Sequence, residues 1–400
     1  MFHRKSVISA LAVLALASLA LNVALAQQGR GGGRAAEAPA YPTLAIGAQA
    51  PDFKLPAVDG KTYSLKDFDS SKLLVVVFTC NHCPVAQLYE NRIKKLATDY
   101  RDRGVALVAI QPNSPESVAL SDMSYTDVGD SLSEMKVRAQ YRQFNFPYLY
   151  DGETQAVSRQ YGPVATPQVF LFDRERKLRY QGRIDNSQRE SLVKTSEVRD
   201  AIEALLAGKP VPVVTTPAVG CSIKWAPQKG QTASTEAEMA RIEQEPVRLE
   251  TVEPDQLRAL SKNGTGKLLL VDFWATWCDP CLAEFPDLQE VFRMYRGRPL
   301  EVVTVSANYP DEQKFVQDFL EEQHASTRNL LFSTTDTDSE IAAFGTSWPG
   351  AVPYTVLIDP SGKVLYRSEG PVDPLELRRK ILANLPDDRY IGQQAYWNSR

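Results

Sequence analysis

The chain is short of the residues that would indicate several common classes of protein. It carries five cysteines and three histidines in 400 residues. A small disulfide-held scaffold has more cysteines on a shorter chain, and a structural zinc site needs a second Cys or His cluster that this sequence lacks. The cysteines are therefore too few to act as structural staples, and they are better explained as reactive groups.

An excess of positive charge is also missing. The 45 Lys and Arg residues face 49 Asp and Glu residues, which gives a net charge of −4 and no reason to expect nucleic-acid binding. A hydrophobic content of 43% with 24% charged residues is ordinary for a globular protein. The length predicts two or three domains.

Long apolar runs are absent beyond the first residues of the chain. A basic start at residues 3–5 is followed by an apolar stretch from Val7 to Leu21 and by Ala24-Leu25-Ala26, a small-x-small site. Residues 1–26 therefore predict a secretory signal peptide and a secreted or periplasmic protein. The alternative is an uncleaved membrane anchor, which would be the protein's only contact with a membrane. No cysteine lies near the cleavage site, which argues against a lipid anchor.

Two cysteine pairs of identical spacing are the most informative feature that is present. Cys80 and Cys83 follow one run of strand-forming residues, Cys278 and Cys281 follow another, and each pair opens a segment of helical periodicity. The unpaired N–H groups and the positive dipole end of a helix N-terminus stabilise a thiolate. The pattern predicts two reactive dithiols, each at an accessible helix tip.

The same order of elements occurs twice, as β-α-β followed by β-β-α. The first part predicts a parallel strand pair with a right-handed crossover, and the hairpin adds antiparallel strands to the same sheet. We expect an α/β protein with two thioredoxin-like three-layer α/β/α domains, each a central mixed β-sheet with helices on both faces. The expected boundaries are a flexible leader at 27–43, a first domain at 44–210, a linker with Cys221 at 211–247, a second domain at 248–386 and a polar tail at 387–400.

The second domain resembles the thioredoxin superfamily, and in particular its exported TlpA/ResA-like thiol-disulfide oxidoreductases. The resemblance is carried by Val271-Asp-Phe-Trp-Ala-Thr-Trp-Cys278-Asp-Pro-Cys281 and by Val352-Pro353. It implies that Cys278 is the nucleophile, that Cys281 is the shielded resolving thiol, and that the Val352–Pro353 bond is cis. The backbone before that proline can pair with an extended substrate as an added strand, and Trp277 is expected to contact the partner.

The first domain resembles the peroxiredoxin-like branch of the same superfamily, often called AhpC/TSA or redoxin-type. The resemblance rests on Phe78-Thr-Cys80-Asn-His-Cys83-Pro84, on Thr166-Pro167 and on the segment from Gly182 to Asn186. The resemblance extends over about 44–224 and so includes Cys221. By analogy with the second domain, Thr166 and Pro167 are expected to bind substrate.

Resolution of a mixed disulfide needs a proton acceptor, and two carboxyls are candidates in the second domain. Asp272 lies on the apolar strand six residues before Cys278, and Glu284 follows Cys281 by three residues on the same helix face. Burial raises the pKa of a carboxyl toward a useful range. We expect one of the two to carry the proton, with Asp272 preferred, and the other to be solvated.

The first site departs from this arrangement. Leu74 occupies the position that corresponds to Asp272, and His82 lies between the cysteines. A protonated His82 would make Cys80 more acidic, whereas a neutral, solvent-facing His82 would have no such effect. Cys221 either folds back to resolve or protect the first site, or stays unpaired.

These features favour an exported thiol-disulfide oxidoreductase that needs no cofactor and no bound metal. Its partners would be protein thiols and disulfides, with an upstream electron donor in the membrane, and not nucleic acid. One alternative makes the first domain a thiol peroxidase that the second domain recharges. A second alternative is a copper metallochaperone that binds its metal through Cys80, His82 and Cys83.

Overall fold

The computed structural model describes residues 41–345 and 348–389. The predicted signal peptide, most of the leader and most of the polar tail lie outside the described residues. The helices are α1 (Pro84–Arg101), α2 (Leu132–Arg142), α3 (Ala156–Tyr161), α4 (Glu197–Leu206), α5 (Ser234–Ile242), α6 (Pro254–Ser261), α7 (Asp279–Tyr295), α8 (Gln313–Glu322), α9 (Thr337–Phe344) and α10 (Pro374–Asn384). The strands are β1 (Lys54–Pro56), β2 (Thr62–Ser64), β3 (Leu73–Phe78), β4 (Val105–Gln111), β5 (Tyr148–Tyr150), β6 (Ala165–Thr166), β7 (Gln168–Phe172), β8 (Leu178–Gly182), β9 (Cys221–Ser222), β10 (Leu249–Val252), β11 (Leu268–Trp274), β12 (Leu300–Ser306), β13 (Arg328–Phe332), β14 (Tyr354–Ile358) and β15 (Val364–Glu369).

The first domain is built on a five-stranded mixed sheet in the order β5-β4-β3-β7-β8. Strands β3, β4 and β5 run parallel, while β7 and β8 form the antiparallel hairpin. Alternate residues of β3 enter two separate cores, since Val75 packs on one face and Leu74 and Val76 pack on the other. Side chains alternate between the faces of a strand, so a strand buried along its whole length needs cover on both sides.

The second domain repeats this plan with a six-stranded sheet in the order β10-β13-β12-β11-β14-β15. The first four of these strands are parallel, and β14 and β15 form the antiparallel hairpin. Every residue of β11 is buried, as expected for the central strand of a three-layer domain. The predicted fold class is confirmed in both domains.

The segment 211–247 is more structured than the expected linker. It contains β9 and α5, and the carboxylate of Glu238 accepts the backbone N–H groups of Leu120 and Ser121 at 2.6 and 3.1 Å. The linker prediction rested on composition, which is rich in Pro, Thr and polar residues. Single residues make these contacts with the first domain, and the overall composition of the segment does not show which residues they are.

Contacts also join the second domain to the segment that precedes α2. The hydroxyl of Tyr295 donates to the carbonyl oxygen of Thr126 at 2.7 Å, and the guanidinium of Arg379 pairs with Asp127 at 2.8 Å. The Arg298 guanidinium donates to the carbonyl oxygen of Ser124 at 2.9 Å. Among the described helices, none combines the length and the apolar character needed to cross a bilayer.

Candidate active sites

The second cysteine pair lies where the central strand of its domain gives way to a helix. Cys278 is the N-cap of α7, and its sulfur accepts the N–H of Cys281 at 3.3 Å. The two cysteines form a disulfide bond. Cys278 is 6% exposed and Cys281 is 1% exposed, so Cys278 is the more accessible sulfur. Both cysteines are nevertheless buried, so the expectation of an accessible helix tip is wrong at this site, and the roles of attacking and shielded thiol stay a prediction.

Both candidate carboxyls of the second domain are buried, one on the strand that leads to the disulfide and the other on the helix that the disulfide opens. Asp272 lies on β11, where its Oδ1 accepts a hydrogen bond from the hydroxyl of Thr355 at 2.8 Å. Glu284 lies on α7, and its Oε2 accepts the N–H of Val372 at 2.8 Å. The second oxygen of each carboxyl has no hydrogen-bond partner among the described residues. The expectation that one of the two is simply solvated is therefore wrong.

The electrostatics of the two carboxyls are coupled. Burial, and then the charge of Glu284, raise the pKa of Asp272 to about 8. Burial also raises the pKa of Glu284 to about 7. Because both pKa values lie near neutrality, the two carboxyls can hold or release a proton near neutral pH.

The surface beside Cys278 is apolar and open. The side chain of Trp277 is 62% exposed, whereas Trp274 is buried in the core, as the sequence predicts. Trp277 borders a cavity of about 260 Å³ that Phe332, Ile341 and Trp348 also line.

The predicted cis-proline lies against the same site. The Val352–Pro353 peptide bond is cis, which confirms the prediction. Val352 packs against the hydrophobic cluster that contains both Cys278 and Cys281. The backbone that precedes the proline is therefore a neighbour of the disulfide.

The first cysteine pair is placed differently on its helix. In this domain the second cysteine, Cys83, is the N-cap, and its sulfur accepts the N–H of Ala86 at 3.4 Å. Cys80 lies three residues before the cap, and its sulfur is 3.1 Å from the hydroxyl of Thr166. Cys80 is 3% exposed and Cys83 is fully buried, so the expectation of an accessible helix tip is wrong here.

The loop between these cysteines is held by Asp130, which the sequence analysis missed. One carboxylate oxygen accepts the N–H groups of Asn81 and His82 at 2.8 and 3.1 Å. The other accepts from Nδ1 of His82 at 2.6 Å and from the side-chain amide of Asn113 at 2.9 Å. No local pattern marks Asp130, because it lies 48 residues from His82 in an insertion between β4 and α2.

His82 is buried, not solvent-facing, which excludes one of the two expected roles. Burial alone would lower the pKa of His82, but the charge of Asp130 raises it above its ordinary value. Burial alone would raise the pKa of Asp130, but the charge of His82 and the four hydrogen bonds lower it to about 2. The two side chains therefore form a buried, hydrogen-bonded pair in which each favours the charged form of the other.

The geometry places the thiolate of the first pair on Cys83, contrary to the expectation for Cys80. Burial, the hydrogen bond with Cys83 and the charge of Asp130 hold the pKa of the Cys80 thiol well above its ordinary value. Burial opposes ionisation of Cys83 too, but hydrogen bonds from Cys221 and Cys80 and the charge of His82 bring its pKa well below that value. In its protonated form, Cys83 donates to the carbonyl oxygen of Thr166 at 3.3 Å.

Cys221 and the Thr166–Pro167 bond complete the first site. The Thr166–Pro167 peptide bond is cis, as in the second domain. The segment that contains Cys221 folds back onto this bond, and the N–H of Cys221 donates to the sulfur of Cys83 at 3.3 Å. Cys221 thus lies against the first site as a free thiol, and its role in resolving or protecting that site stays a prediction.

The groups that could hold a metal in the first site differ from the predicted copper ligands. The sulfur of Cys80, a ring nitrogen of His82 and a carboxylate oxygen of Asp130 lie within 4.8 Å of one another, and Cys83 is not part of this group. Both oxygens of Asp130 already accept hydrogen bonds from the surrounding protein. The carboxylate is thus used to hold the loop, and the set offers one soft sulfur ligand where the prediction had two.

Comparisons with known proteins agree with this chemistry. The AhpC/TSA family matches the chain twice, at residues 46–181 and 246–367. The chain is 32% identical over 113 residues to the thiol-disulfide oxidoreductase ResA of Oceanobacillus iheyensis. This match covers 28% of this chain and 54% of that protein. It is 32% identical over 117 residues to the thiol:disulfide interchange protein HelX of Rhodobacter capsulatus, covering 29% of this chain and 60% of that protein. The chain spans about half the length of the curated relatives it matches.

Among solved structures, the chain is similar to an uncharacterized conserved protein from Geobacillus kaustophilus. The identity is 39% with a TM-score of 0.41, and the match covers 46% of this chain and 94% of that protein.

Proposed function

The chain belongs to the AhpC/TSA family, and from that premise we propose that it is a thiol-disulfide oxidoreductase that exchanges disulfides with partner proteins through Cys278 and Cys281. One observation carries the proposal. A bonded cysteine pair opens α7, the same helix carries Glu284, and the charge of Glu284 acts on Asp272, so that the domain combines a disulfide with two buried carboxyls whose pKa values lie near neutrality. A structural disulfide does not need a group that donates and accepts protons near neutral pH, whereas thiol-disulfide exchange needs such a group.

The exchange starts from the disulfide. A thiolate of the partner attacks the sulfur of Cys278, a bond forms between these two sulfurs, and the Cys278–Cys281 bond breaks. Cys281 leaves with the electron pair and takes a proton. A second partner thiol then attacks the first partner sulfur and releases Cys278. The partner dithiol is oxidised by two electrons, and the cysteine pair of the protein is reduced by the same two.

Asp272 and Glu284 supply and accept the proton of Cys281. Both are buried, and each has one oxygen without a partner among the described residues. In the forward step the protonated carboxyl gives its proton to the leaving sulfur. In the reverse step the carboxylate removes the proton from the Cys281 thiol, which must be a thiolate to attack a mixed disulfide.

The partner would dock on the apolar surface around Trp277. A tryptophan exposed over 62% of its area next to a cavity of about 260 Å³ fits an apolar side chain that flanks the partner's cysteine. The backbone before Pro353 would pair with the partner chain as an added strand.

The first domain supplies a second exchange site with Cys80 and Cys83, and electrons pass between it and the second site through partner proteins. This proposal includes export of the protein and a donor of electrons in the membrane. Peroxidase activity is the weaker alternative, since burial and Asp130 keep Cys80 protonated and only a thiolate attacks peroxide. The copper alternative is also weaker, because Asp130 is held by the protein and Cys83 lies outside the ligand group.

Single cysteine substitutions test the proposal. The full chain with Cys80→Ser and Cys83→Ser retains only the second pair, and its reduction of a protein disulfide such as insulin can be followed with dithiothreitol as the electron source. Cys278→Ser should then abolish the exchange, and Cys281→Ser should accumulate a mixed disulfide between Cys278 and the substrate. Undiminished turnover in the Cys278→Ser variant would refute the proposal.

A further inference from the structure

The first site already has an added strand on its cis-proline loop, and that strand belongs to the same chain. Strand β9 pairs antiparallel with β6, so that Cys221 lies opposite Thr166 and Ser222 lies opposite Ala165. Thr166 is the residue directly before the cis-proline. In the second domain, no strand among the described residues pairs with Val352. In the first domain, β9 of the same chain therefore occupies the edge beside the cis-proline. In the second domain, the corresponding edge is left for a partner.

Gly220 makes this close approach possible. A Cβ at position 220 would lie only 1.7 Å from the carbonyl oxygen of Thr166, so no other residue fits without displacing the strand. The downstream end is fixed as well. The N–H of Lys224 donates to the side chain of Asn113 at 2.9 Å, and its carbonyl oxygen accepts the N–H of Ser114 at 2.8 Å. The segment is therefore a built part of the site.

Cys221 meets Cys83 at the centre of this contact. Its N–H donates to the sulfur of Cys83 at 3.3 Å, and Cys221 packs against the cluster that contains both Cys80 and Cys83. The sulfurs of Cys80 and Cys83 both lie against Thr166, at 3.1 Å from its hydroxyl and 3.3 Å from its carbonyl oxygen. One sulfur therefore has two cysteine neighbours, and either could form a disulfide with it.

Accessibility separates these two neighbours. Cys80 and Cys83 are both buried, whereas Cys221 is partly exposed. Cys221 is therefore the most exposed of the three thiols, and an outside thiol approaches it more readily than it approaches a disulfide between the two buried sulfurs.

We propose that Cys221 is the sulfur through which the first site exchanges with protein thiols, by forming an alternative disulfide with Cys83. The inference rests on the proposed function, since it takes Cys80 and Cys83 as an exchanging pair. The sulfur that a partner thiol attacks is then that of Cys221, which lies outside the C-x-x-C sequence.

The steps balance as ordinary thiol-disulfide exchange. The thiolate of Cys221 attacks Cys83 in the Cys80–Cys83 disulfide, the Cys83–Cys221 bond forms, and Cys80 leaves as a thiolate that takes up the proton lost by Cys221. An outside thiolate then attacks Cys221, and Cys83 leaves as a thiolate stabilised by the N–H groups of Ala86 and Cys221. A second outside thiol attacks the mixed disulfide on Cys221, so that two thiols become one disulfide and the first site gains two electrons.

Disulfide mapping in the full chain tests the inference. The variant with Cys278→Ser and Cys281→Ser silences the second site, and it is oxidised with glutathione disulfide, treated with reduced glutathione, alkylated and analysed by mass spectrometry. We expect the first glutathione adduct on Cys221. We also expect that adding Cys80→Ser yields a Cys83–Cys221 disulfide, and that adding Cys221→Ser instead slows reduction by glutathione at least tenfold.

Two further variants serve as controls. Gly220→Val keeps all three thiols but pushes the strand off Thr166, and with Cys80→Ser it should no longer form the Cys83–Cys221 disulfide. Ser222→Cys in the Cys221→Ser background moves the thiol to the opposite face of β9 and should not restore fast reduction.

The outcomes separate the inference from the proposed function. If Cys80 and Cys83 never form a disulfide that glutathione reverses, the proposed function of the first site fails. If that disulfide forms and is reduced equally fast without Cys221, with the adduct on Cys80 or Cys83, the role of Cys221 fails alone.

Discussion

At the scale of single residues, the second site depends on an acid placed where a charge is unfavourable. Asp272 lies between Val271 and Phe273 on a fully buried strand, and its single side-chain hydrogen bond comes from Thr355. A buried carboxylate without a cation is costly, so the side chain stays protonated to unusually high pH. The protein keeps this destabilising residue on the strand that leads to its disulfide, in agreement with the proposed role in proton transfer.

The pH dependence of stability tests this account of Asp272. The native state retains the proton up to about pH 8, whereas the unfolded chain loses it near the ordinary value of 3.8. The native state therefore binds more protons over this range, and the free energy of unfolding falls as the pH rises through it. Asp272→Asn should remove this loss, so that the variant gains stability relative to the wild type as the pH rises, by at most about 6 kcal/mol.

Urea denaturation of the oxidised protein at several pH values provides the measurement. Asp311→Asn, which replaces an exposed carboxylate of the same domain, is the control and should change little. If the free energy of unfolding of the Asp272→Asn variant differs from that of the wild type by the same amount at every pH from 4 to 9, Asp272 is not held protonated.

In the first site, the ion pair of His82 and Asp130 sets which sulfur ionises. Asp130→Asn leaves His82 buried without a counter-charge, so the pKa of His82 should fall and the pKa of Cys83 should rise. Breaking a buried pair in this way should also destabilise the fold by about 3 kcal/mol. The ultraviolet absorbance of the thiolate as a function of pH measures the change at Cys83.

The partner substitution, His82→Asn, completes a double-mutant cycle. The two changes together should shift the titration of Cys83 little more than either does alone, because each removes the same charge pair. Fully additive shifts, or no shift in either variant, would contradict the assignment.

At the scale of elements, the two cysteine pairs show how one spacing serves two geometries. In the second domain α7 starts after the first cysteine, and in the first domain α1 starts after the second cysteine. Both helices have a proline in the first turn, so local propensity favours a start near each pair without deciding which residue is the cap. In the first domain Asp130 takes the N–H groups of Asn81 and His82, which holds these residues out of the helix.

The segment before α2 connects this loop to the second domain. Asp130 holds the first site, and four residues earlier the carbonyl oxygen of Thr126 accepts the hydroxyl of Tyr295. Tyr295→Phe should leave a buried carbonyl oxygen unpaired and lower the free energy of unfolding by about 1–2 kcal/mol. Urea denaturation measures the loss.

Tyr141→Phe is the matched control, since it removes a hydroxyl from a ring that is mostly exposed. It should change stability by less than about 0.5 kcal/mol. Equal effects of the two substitutions would mean that the Tyr295 hydrogen bond does not stabilise the fold.

At the scale of the whole molecule, the sequence predicted the parts that follow from local pattern. Each cysteine pair follows a buried strand and opens a helix, as predicted, because strands buried on both faces and capped helices leave strong local signals. The cysteines, the cis-prolines and the two carboxyls of the second site were also found.

The parts that the sequence did not reveal depend on contacts between distant segments. Asp130 reaches His82 across 48 residues, and Cys221 reaches Cys83 across 138. Neither contact leaves a periodic pattern in the chain, since each is a single side chain or a two-residue strand. For the same reason, residues 211–247 were interpreted as a linker although they complete the first site.

The central claim is that each domain holds a cysteine pair that opens and closes reversibly. The direct test is to equilibrate the full chain in glutathione buffers of graded ratio, trap the thiols by alkylation and quantify each disulfide by mass spectrometry. We expect two independent two-electron transitions, one in Cys278–Cys281 and one among Cys80, Cys83 and Cys221, each with a tenfold change in ratio over about 30 mV. A pair that stays entirely bonded or entirely free across the whole range would contradict the account for that domain.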